Sequence, residues 1–341
     1  MMQVALVGLG MVSGTFVSAL RDLPDLRLTR VHARSADSRA RFLAAHPDLG
    51  AVDTPDLATI AHDPAIDFVI LATPPDARAD AVATLAAAGK PILMEKPVER
   101  DLARATTLVA QCEAASVPLG IVLQHRARPI VAQLRAMLPD LGPLRLIEIA
   151  IPWWRDPSYY DTPGRGTYAR DGGGVLLTQA VHTLDLALSL AEPVAGPVTQ
   201  VTAMTATTGF HRMEAEDIAT AGLRFANGAV GTLMASTASF PGRGETITLH
   251  GAAGSAHLEA GTLRIDWQTG HTETRGQTAQ SGAGADPMGF TSDWHRSMIT
   301  DFATSLTERR PPMVTGRDAL RVHRLIDALE RSAHAGATIP L

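Results

Sequence analysis

Residues 1–124 alternate between short apolar runs, turns rich in Gly or Pro, and helix-like stretches. The apolar runs occupy residues 4–7, 26–33, 68–72, 92–94 and 120–123. A strand that leads through a helix to the next strand forms a parallel pair, and a series of such units forms a doubly wound sheet. The rhythm therefore predicts an α/β domain over residues 1–124, with its ligands at the carboxyl ends of the strands.

The turn after the first apolar run matches a dinucleotide-binding fingerprint. Gly8 and Gly10 occupy the first two glycine positions of G-x-G-x-x-G, and Ser13 occupies the third. The first glycine permits a tight turn, the second lets the backbone approach a pyrophosphate, and the following helix points its N–H groups at the phosphates. A purely structural turn is the alternative. We predict nucleotide binding, with contacts from Gly8, Gly10, Met11 and Val12.

The end of the second run bears on which nucleotide is bound. Domains that bind NAD usually place an acidic residue there, which holds the ribose 2′-hydroxyl. Here Arg34 and Ser35 stand in that place, and both could bind a 2′-phosphate. We therefore predict a preference for NADP over NAD. The alternative is that Arg34 is only a solvated loop residue.

Two more loops follow strands of the same predicted sheet. Thr73 and Pro74 follow the third run, and Glu95, Lys96 and Pro97 follow the fourth. The carboxyl ends of parallel strands share one edge, so both loops are expected beside the glycine turn, and we predict that Thr73, Pro74, Glu95 and Lys96 contact the cofactor. Pro97 restricts the backbone of Lys96, whose ammonium could polarise a substrate hydroxyl or carbonyl. A surface ion pair between Lys96 and Glu95 is the alternative.

The alternation stops after residue 124, and the pattern changes to that of an antiparallel sheet. Strand-like runs occupy residues 144–151, 198–206, 218–225, 229–236 and 245–251. Asn227-Gly228 between two of these runs predicts a hairpin. We predict a second domain over residues 125–341. Residues 270–289 are predicted to form a mobile loop, and helices over 291–308 and 317–335 are predicted to close the chain.

An aromatic segment follows the first strand of this second domain. Trp153, Trp154, Tyr159 and Tyr160 lie within eight residues, with Arg155 among them. Aromatic rings and a guanidinium suit the C–H faces and hydroxyls of a sugar-like polyol. Trp153, Arg155 and Tyr160 are therefore candidate substrate contacts. Packing or oligomer contact is an equal alternative, because aromatic residues are also enriched at interfaces.

Three glycines at 172–174 precede a long apolar stretch that predicts a helix. On a regular helix, one polar stripe would contain Thr178, His182, Asp185 and Ser189. An imidazole next to a carboxylate on an apolar helix suits proton transfer near neutral pH. The alternative is a stripe that faces water.

Charge and composition exclude several classes of function. The net charge is −5, and no block of Lys or Arg occurs, so a nucleic-acid interface is not predicted. The single cysteine, Cys112, excludes an internal disulfide and a cysteine-rich metal site, and no clustered His/Asp/Glu pattern predicts a metal. No apolar run is long enough to span a membrane, and the N-terminus lacks a basic segment, so we predict a cytoplasmic protein.

Taken in order, these motifs resemble those of the glucose–fructose oxidoreductase and inositol dehydrogenase family, Gfo/Idh/MocA. The motifs that carry the resemblance are Gly8-Leu9-Gly10, Ala72-Thr73-Pro74-Pro75, Ala88-Gly89-Lys90, Glu95-Lys96-Pro97, Gly172-Gly173-Gly174 with His182 and Asp185, and Arg224-Phe225-Ala226-Asn227-Gly228. The resemblance spans essentially the whole chain. It implies an N-terminal Rossmann domain and a C-terminal α+β domain with a large open, mainly antiparallel sheet. It also implies a sugar, inositol or related polyol as substrate, and homodimers or homotetramers built through the sheet.

The resemblance further implies roles for individual residues. Lys96 would lie by the nicotinamide and contact the reacting hydroxyl, and His182 would be the acid/base. Asp185 would orient or tune that imidazole, or contact the substrate. The family often has Asp or Asn where this chain has Thr178, which makes Thr178 a candidate substrate contact. It often has His where this chain has Arg78, whose guanidinium could meet an acidic substrate group.

The resulting prediction is an NAD(P)-dependent dehydrogenase that acts on a secondary hydroxyl or ketone. Two alternatives remain within this fold. One is a glycoside hydrolase that retains its cofactor, and the other is a ligand-sensing regulator without catalysis. The presence of Lys96, His182 and Asp185 counts against the regulator, whereas Thr178 leaves it open.

Overall fold

The structure is a computed structural model that describes residues 1–277, 283–284 and 289–341. The chain forms two compact units, which are Met1–Gln124 with Ser292–Leu320, and His125–Thr291 with Arg321–Leu341. The sequence places the domain boundary at residue 124, where the first segment of the first unit also ends. It assigns residues 292–320 to the second domain, whereas in the structure they belong to the first unit.

The first unit contains a six-stranded parallel sheet with the strand order β3-β2-β1-β4-β5-β6. Its strands are β1 (Met2–Val7), β2 (Leu26–His32), β3 (Val52–Asp53), β4 (Phe68–Leu71), β5 (Ile92–Glu95) and β6 (Leu119–Val122). All neighbouring strands pair in parallel. The strand order reverses between β1 and β4, and ligands of such sheets bind at the carboxyl ends of the strands at this switch point. The predicted doubly wound Rossmann sheet is confirmed.

Nine α-helices occur in the described part of the chain. They are α1 (Ser13–Arg21), α2 (Ala36–Ala45), α3 (Leu57–His62), α4 (Arg78–Ala87), α5 (Leu102–Ala114), α6 (Pro129–Met137), α7 (Val181–Ala195), α8 (Asp293–Glu308) and α9 (Gly316–Ala335). Helix α8 packs on the parallel sheet through Ile299 and Phe302, and the Phe302 ring lies 5.4 Å from that of Phe68. This apolar contact explains why residues distant in sequence complete the first unit.

The second unit contains a nine-stranded sheet with the order β14-β13-β12-β11-β7-β10-β9-β8-β15. Its strands are β7 (Leu144–Pro152), β8 (Val198–Ala206), β9 (Ile218–Phe225), β10 (Val230–Ser236), β11 (Thr246–Gly251), β12 (Gly254–Glu259), β13 (Thr262–Trp267), β14 (Thr272–Gly276) and β15 (Ile339–Pro340). Only the pair β7–β10 is parallel, so the prediction of a mainly antiparallel sheet is confirmed. The predicted hairpin joins β9 to β10, and Gly228 provides its positive φ of 88°.

The mobile loop predicted over residues 270–289 is wrong at its start. Residues 272–276 form β14, which pairs in antiparallel register with β13. This strand is polar and lies at the sheet edge, so it has no hydrophobic pattern by which the sequence could reveal it. Its backbone pairing with β13 identifies it as a strand. Residues 278–282 and 285–288 of the predicted loop lie outside the described residues. Among the helices that the structure describes, none has the length and apolar character needed to cross a membrane.

Candidate active site

The glycine turn after β1 joins the ends of three strands. Gly8 donates its N–H to His32 O at 2.9 Å, and its φ is +98°. A Cβ at Gly8 would lie 2.5 Å from Ala72 C and 2.6 Å from Thr73 N, closer than real atoms approach. Only glycine therefore fits between the ends of β1 and β4, at the switch point of the sheet.

Several features of this turn suit the approach of a dinucleotide. A Cβ at Gly10 would meet no atom within 4 Å, so the backbone there is open to a ligand. Helix α1 has no acidic residue in its first turn and no side-chain cap on its N-cap residue Val12, so no carboxylate opposes a phosphate at this helix end. Met11 is exposed beside them. The buried hydroxyl of Thr73 has no hydrogen-bond partner in the part of the chain that the structure describes.

The loop after β2 is arranged around Ser35 and Arg39. Ser35 is the N-cap of α2 and accepts from Ser38 N at 3.3 Å. Arg39 donates to Ala33 O at 2.6 Å and to Asp53 Oδ1 at 2.5 Å, which fixes the loop from behind. Arg34 is exposed at the end of this strand. The side chain of Arg34 is therefore on the surface. Both interpretations of this residue, a contact to a 2′-phosphate and a solvated loop residue, require this position.

The loop after β5 is supported by buried groups. Glu95 is buried, accepts from Lys96 N at 3.1 Å and lies 3.5 Å from His295 Nε2. The Lys96–Pro97 peptide bond is cis. A surface ion pair between Lys96 and Glu95 is therefore the wrong description, because the Glu95 carboxylate is inside the unit. Glu95 supports the backbone of Lys96, and its contact with the cofactor stays a prediction.

Arg78 joins the loops after β4 and β5. It is only 2% exposed, and it donates from Nε and Nη2 to Thr73 O at 3.0 and 2.9 Å. Nη2 also lies 3.3 Å from Lys96 O. Burial lowers the pKa of Arg78 to about 10, against the raising effect of Glu95 and other nearby carboxylates. Burial and these bonds from Nε and Nη2 count against the expectation that Arg78 meets an acidic substrate group, although Nη1 has no hydrogen-bond partner among the described residues.

In the second unit, the glycine-rich stretch leads into a buried helix. One π-helical turn, Leu176–Ala180, precedes α7 and contains Thr178, whose hydroxyl donates to Gly174 O at 2.6 Å. His182 is 5% exposed and Asp185 is 1% exposed. The alternative interpretation, in which this polar stripe faces water, is therefore wrong. The π turn also changes the regular spacing that placed Thr178 in line with these two residues, and such turns occur often at functional sites.

Glu216 anchors the start of this helix, and the sequence reasoning missed it. Its carboxylate accepts from Gly174 N at 3.1 Å and from Leu176 N at 3.0 Å, and its main-chain oxygen accepts from Val175 N at 2.8 Å. A Cβ at Gly174 would lie 1.8 Å from Glu216 O. The glycine run thus permits close backbone contact, and one residue satisfies three N–H groups that have no partner within the helix.

His125 and Arg126 also contact this helix and were not predicted. Arg126 donates from Nε and Nη2 to the two carboxylate oxygens of Asp185 at 2.6 and 2.5 Å. The ring of His125 lies 5.0 Å from the ring of His182, with 30° between their planes. No sequence motif singled out these two residues. The only available signal was their position directly after the last strand of the parallel sheet.

The aromatic segment is part of the interior of the second unit. The Trp153 indole donates to Glu245 Oε2 at 3.2 Å, and the Tyr160 hydroxyl lies 3.0 Å from Thr237 Oγ1. Arg155 donates to Trp154 O at 2.9 Å and to Gly284 O at 2.7 Å. All three side chains that the sequence assigned to the substrate are buried. Their burial and these hydrogen bonds favour the packing alternative, and the substrate contacts stay a prediction.

A second histidine–aspartate pair lies elsewhere in this unit. His211 Nδ1 lies 3.0 Å from Asp217 Oδ2, and its Nε2 lies 2.8 Å from Arg155 O. Asp217 also accepts from both the backbone and the hydroxyl of Thr208. The pair is fully buried, which favours a structural role. Within the ranges that the structure describes, no group of three or more His, Cys, Asp or Glu residues is placed to hold a metal.

Known proteins share both parts of this architecture. A family model described as "Oxidoreductase family, NAD-binding Rossmann fold" matches residues 2–122. A second model, "GFO/IDH/MocA C-terminal domain", matches residues 131–257. D-apiose dehydrogenase of Paraburkholderia graminis is 28% identical over 99% of this chain and 89% of its own length. Inositol 2-dehydrogenase of Rhizobium meliloti is 26% identical over 90% of this chain and 94% of its own length.

Solved structures give the same result. The WlbA dehydrogenase from Bordetella pertussis, in complex with NADH and UDP-GlcNAcA, superimposes with a TM-score of 0.82 at 25% identity and covers 100% of this chain and 97% of its own. Levoglucosan dehydrogenase is 20% identical and superimposes with a TM-score of 0.85. The match covers 100% of this chain and 99% of the other, which shows that the two proteins share the fold. The chain therefore belongs to the GFO/IDH/MocA family of NAD-binding oxidoreductases, as the order of its motifs predicts.

Proposed function

We propose that the protein is an NAD(P)-dependent dehydrogenase that oxidises a secondary hydroxyl of a sugar, inositol or related polyol. The observation that carries this proposal is the Lys96 loop at the edge of the nucleotide-binding sheet. Its backbone is held by Glu95 and by Arg78, which also holds the neighbouring Thr73 loop. The related D-apiose and inositol 2-dehydrogenases agree with a polyol substrate.

Lys96 supplies positive charge in this proposal. A bound nicotinamide would supply the hydride acceptor, its C4 atom. The Lys96 ammonium stabilises the alkoxide as it develops on the substrate oxygen, and a charge that is already in place needs no reorganisation during the reaction. Gly8 and Gly10 with Met11 and Val12 hold the pyrophosphate side of the cofactor.

His182 supplies the proton transfer. A histidine can take up and release a proton near neutral pH, and general acid–base catalysis typically contributes a factor of about 10² to 10⁴ in rate. His182 takes the hydroxyl proton during oxidation and returns it to the ketone oxygen during reduction. Thr178, in the π-helical turn before it, is proposed as a substrate contact.

The activity can be tested with a panel of sugars and cyclitols. We would follow nicotinamide reduction with D-apiose, scyllo-inositol and levoglucosan, which occur in the names of related proteins. The His182→Ala and Lys96→Met variants should each lower kcat by about 10² to 10⁴, with cofactor binding retained. Wild-type turnover by the His182→Ala variant would contradict the assignment. Glycoside cleavage without net cofactor reduction would instead identify a hydrolase.

The cofactor preference is a finer proposal. Arg34 is exposed at the end of β2, and no acidic residue stands in its place, so we propose NADP over NAD. Arg34→Ala should weaken NADP⁺ binding by about tenfold, which corresponds to one charge-assisted hydrogen bond, and leave NAD⁺ binding unchanged. Isothermal titration with both nucleotides measures this difference. A wild-type protein that binds NAD⁺ more tightly would overturn the proposal.

Two properties of the whole protein complete the proposal. We propose a cytoplasmic location, which agrees with the single buried cysteine and would be tested by cell fractionation. We also propose a homodimer or homotetramer built through the open face of the nine-stranded sheet. One face of this sheet packs against α7, whereas the other bears a surface groove lined by residues of β7, β10, β11, β12 and β13.

A further inference from the structure

Two consecutive residues hold the helix that carries His182. Arg126 binds both carboxylate oxygens of Asp185, at 2.6 and 2.5 Å. The His125 ring lies 5.0 Å from the His182 ring, and His125 Nδ1 lies 3.5 Å from Thr183 Oγ1. The short turn that contains residues 125 and 126 therefore contacts α7 at two places, one helical turn apart.

The ion pair between Arg126 and Asp185 permits only a narrow range of geometry. A planar guanidinium that binds both oxygens of a carboxylate fixes orientation as well as distance. The two side chains are only 6% and 1% exposed, so separating them would leave buried charges without compensation. Asp185 follows His182 by three residues, and side chains at this spacing share a face of a helix. Fixing Asp185 therefore fixes the rotation of the face that carries His182.

We propose that Arg126 is a positioning residue for the dehydrogenase reaction. Through Asp185 it sets the rotation of α7, and thereby the placement of the His182 imidazole relative to His125. Asp185 then acts as the anchor of the helix and does not take part in proton transfer. The inference rests on the proposed function, because it takes His182 as the acid–base residue.

The test replaces the buried ion pair with apolar groups. The double variant Arg126→Met/Asp185→Leu leaves no buried charge, and such replacements commonly preserve folding. A displacement of about 1 Å in a reacting group can cost about 10²-fold in rate, so kcat should fall by about 10 to 10² while the Kd for the nicotinamide cofactor stays unchanged. Arg126→Lys retains the charge and should recover part of kcat.

The pH profile separates positioning from proton tuning. If Asp185 only anchors the helix, the double variant, which removes both charges together, lowers the kcat/KM profile without moving its limbs. If Asp185 tunes the imidazole directly, the double variant moves a limb, whereas Arg126→Lys, which keeps the Asp185 carboxylate, does not. The second result would overturn the inference.

A measurement without turnover completes the test. Histidine-selective ¹³C NMR of the protein saturated with NAD⁺ or NADP⁺, with His182 assigned through His182→Gln, should show the His182 and His125 signals shifted in the double variant. Unchanged signals together with wild-type kcat would overturn the inference. The His182→Ala variant distinguishes a failure of the proposed function from a failure of the positioning role. If it retains activity, the proposed function fails. If it loses activity while the double variant does not, only the positioning role fails.

Discussion

At the scale of single residues, the two glycines of the fingerprint are needed for different physical reasons. Gly8 has a φ of +98°, and a Cβ there would lie 2.5 Å from Ala72 C, whereas a Cβ at Gly10 would meet no atom within 4 Å. Gly8 is therefore needed for the fold. Gly10 is needed only if a ligand approaches the backbone.

This difference predicts opposite results for two alanine variants. Gly8→Ala should lower the free energy of unfolding by about 1 to 3 kcal/mol, because overpacking forces the neighbouring strand end to move. Gly10→Ala should leave stability within about 0.5 kcal/mol of wild type and raise the Kd for the cofactor. Chemical denaturation and nucleotide titration of both variants check this. Equal destabilisation by the two variants would contradict it.

At the scale of elements, the start of the helix that carries His182 lies beside two carboxyl groups, those of the buried Glu216 and the half-buried Glu330. Glu216 anchors the helix, and Glu330 Oε1 lies 3.3 Å from the point where a Cβ on Gly173 would stand. Burial raises the pKa of Glu330 to about 8, and repulsion from Glu216 and Asp327 adds to this effect. Glu330 is therefore mostly protonated at neutral pH, and its ionisation at higher pH places negative charge close to the helix anchor.

This raised pKa predicts that stability falls as the pH rises. Between the ordinary glutamate value near 4.5 and the folded value of about 8, the folded state binds more protons than the unfolded state. The free energy of unfolding should therefore decrease across this window, by up to about 1.4 kcal/mol per pH unit for one group, and level off above it. Glu330→Gln should flatten the decrease. Urea denaturation from pH 5 to pH 9 measures it, with the exposed Glu308→Gln as a matched control that keeps the wild-type slope.

At the scale of the whole molecule, the nine-stranded sheet has one open face that a second copy of the chain could cover. Thr232 is exposed in this groove at the centre of the sheet, on β10. Thr232→Arg should dissociate the proposed oligomer. It places an unpaired charge at the interface, and removing the water around this charge costs free energy. Light scattering after gel filtration checks this, with Thr107→Arg on α5 as the control that should not change the mass. A wild-type monomer would refute the proposal.

Local pattern and composition determined much of the fold and part of the candidate site. The alternation of strand and helix in residues 1–124 predicted the parallel sheet, because hydrophobic periodicity and glycine turns are local properties. The Asn227-Gly228 hairpin followed for the same reason. The oxidoreductase family followed from the order of several short motifs. Gly8, Gly10, Lys96 and His182 were predicted as site residues because residues of these types are unusual at their positions in the local pattern.

Only the tertiary structure decided which side chains support these residues. Arg126 and Asp185 are 59 residues apart, and Glu216 lies 42 residues from Gly174, yet each pair is in hydrogen-bond contact. Burial counts against a substrate contact by Arg78 and favours the packing alternative for the aromatic segment, and long-range apolar packing assigned α8 to the first unit. Such contacts depend on how distant segments fold back on each other. A local sequence pattern carries no information about which distant segment an element will contact. Periodicity therefore predicts the element but not what its polar face binds.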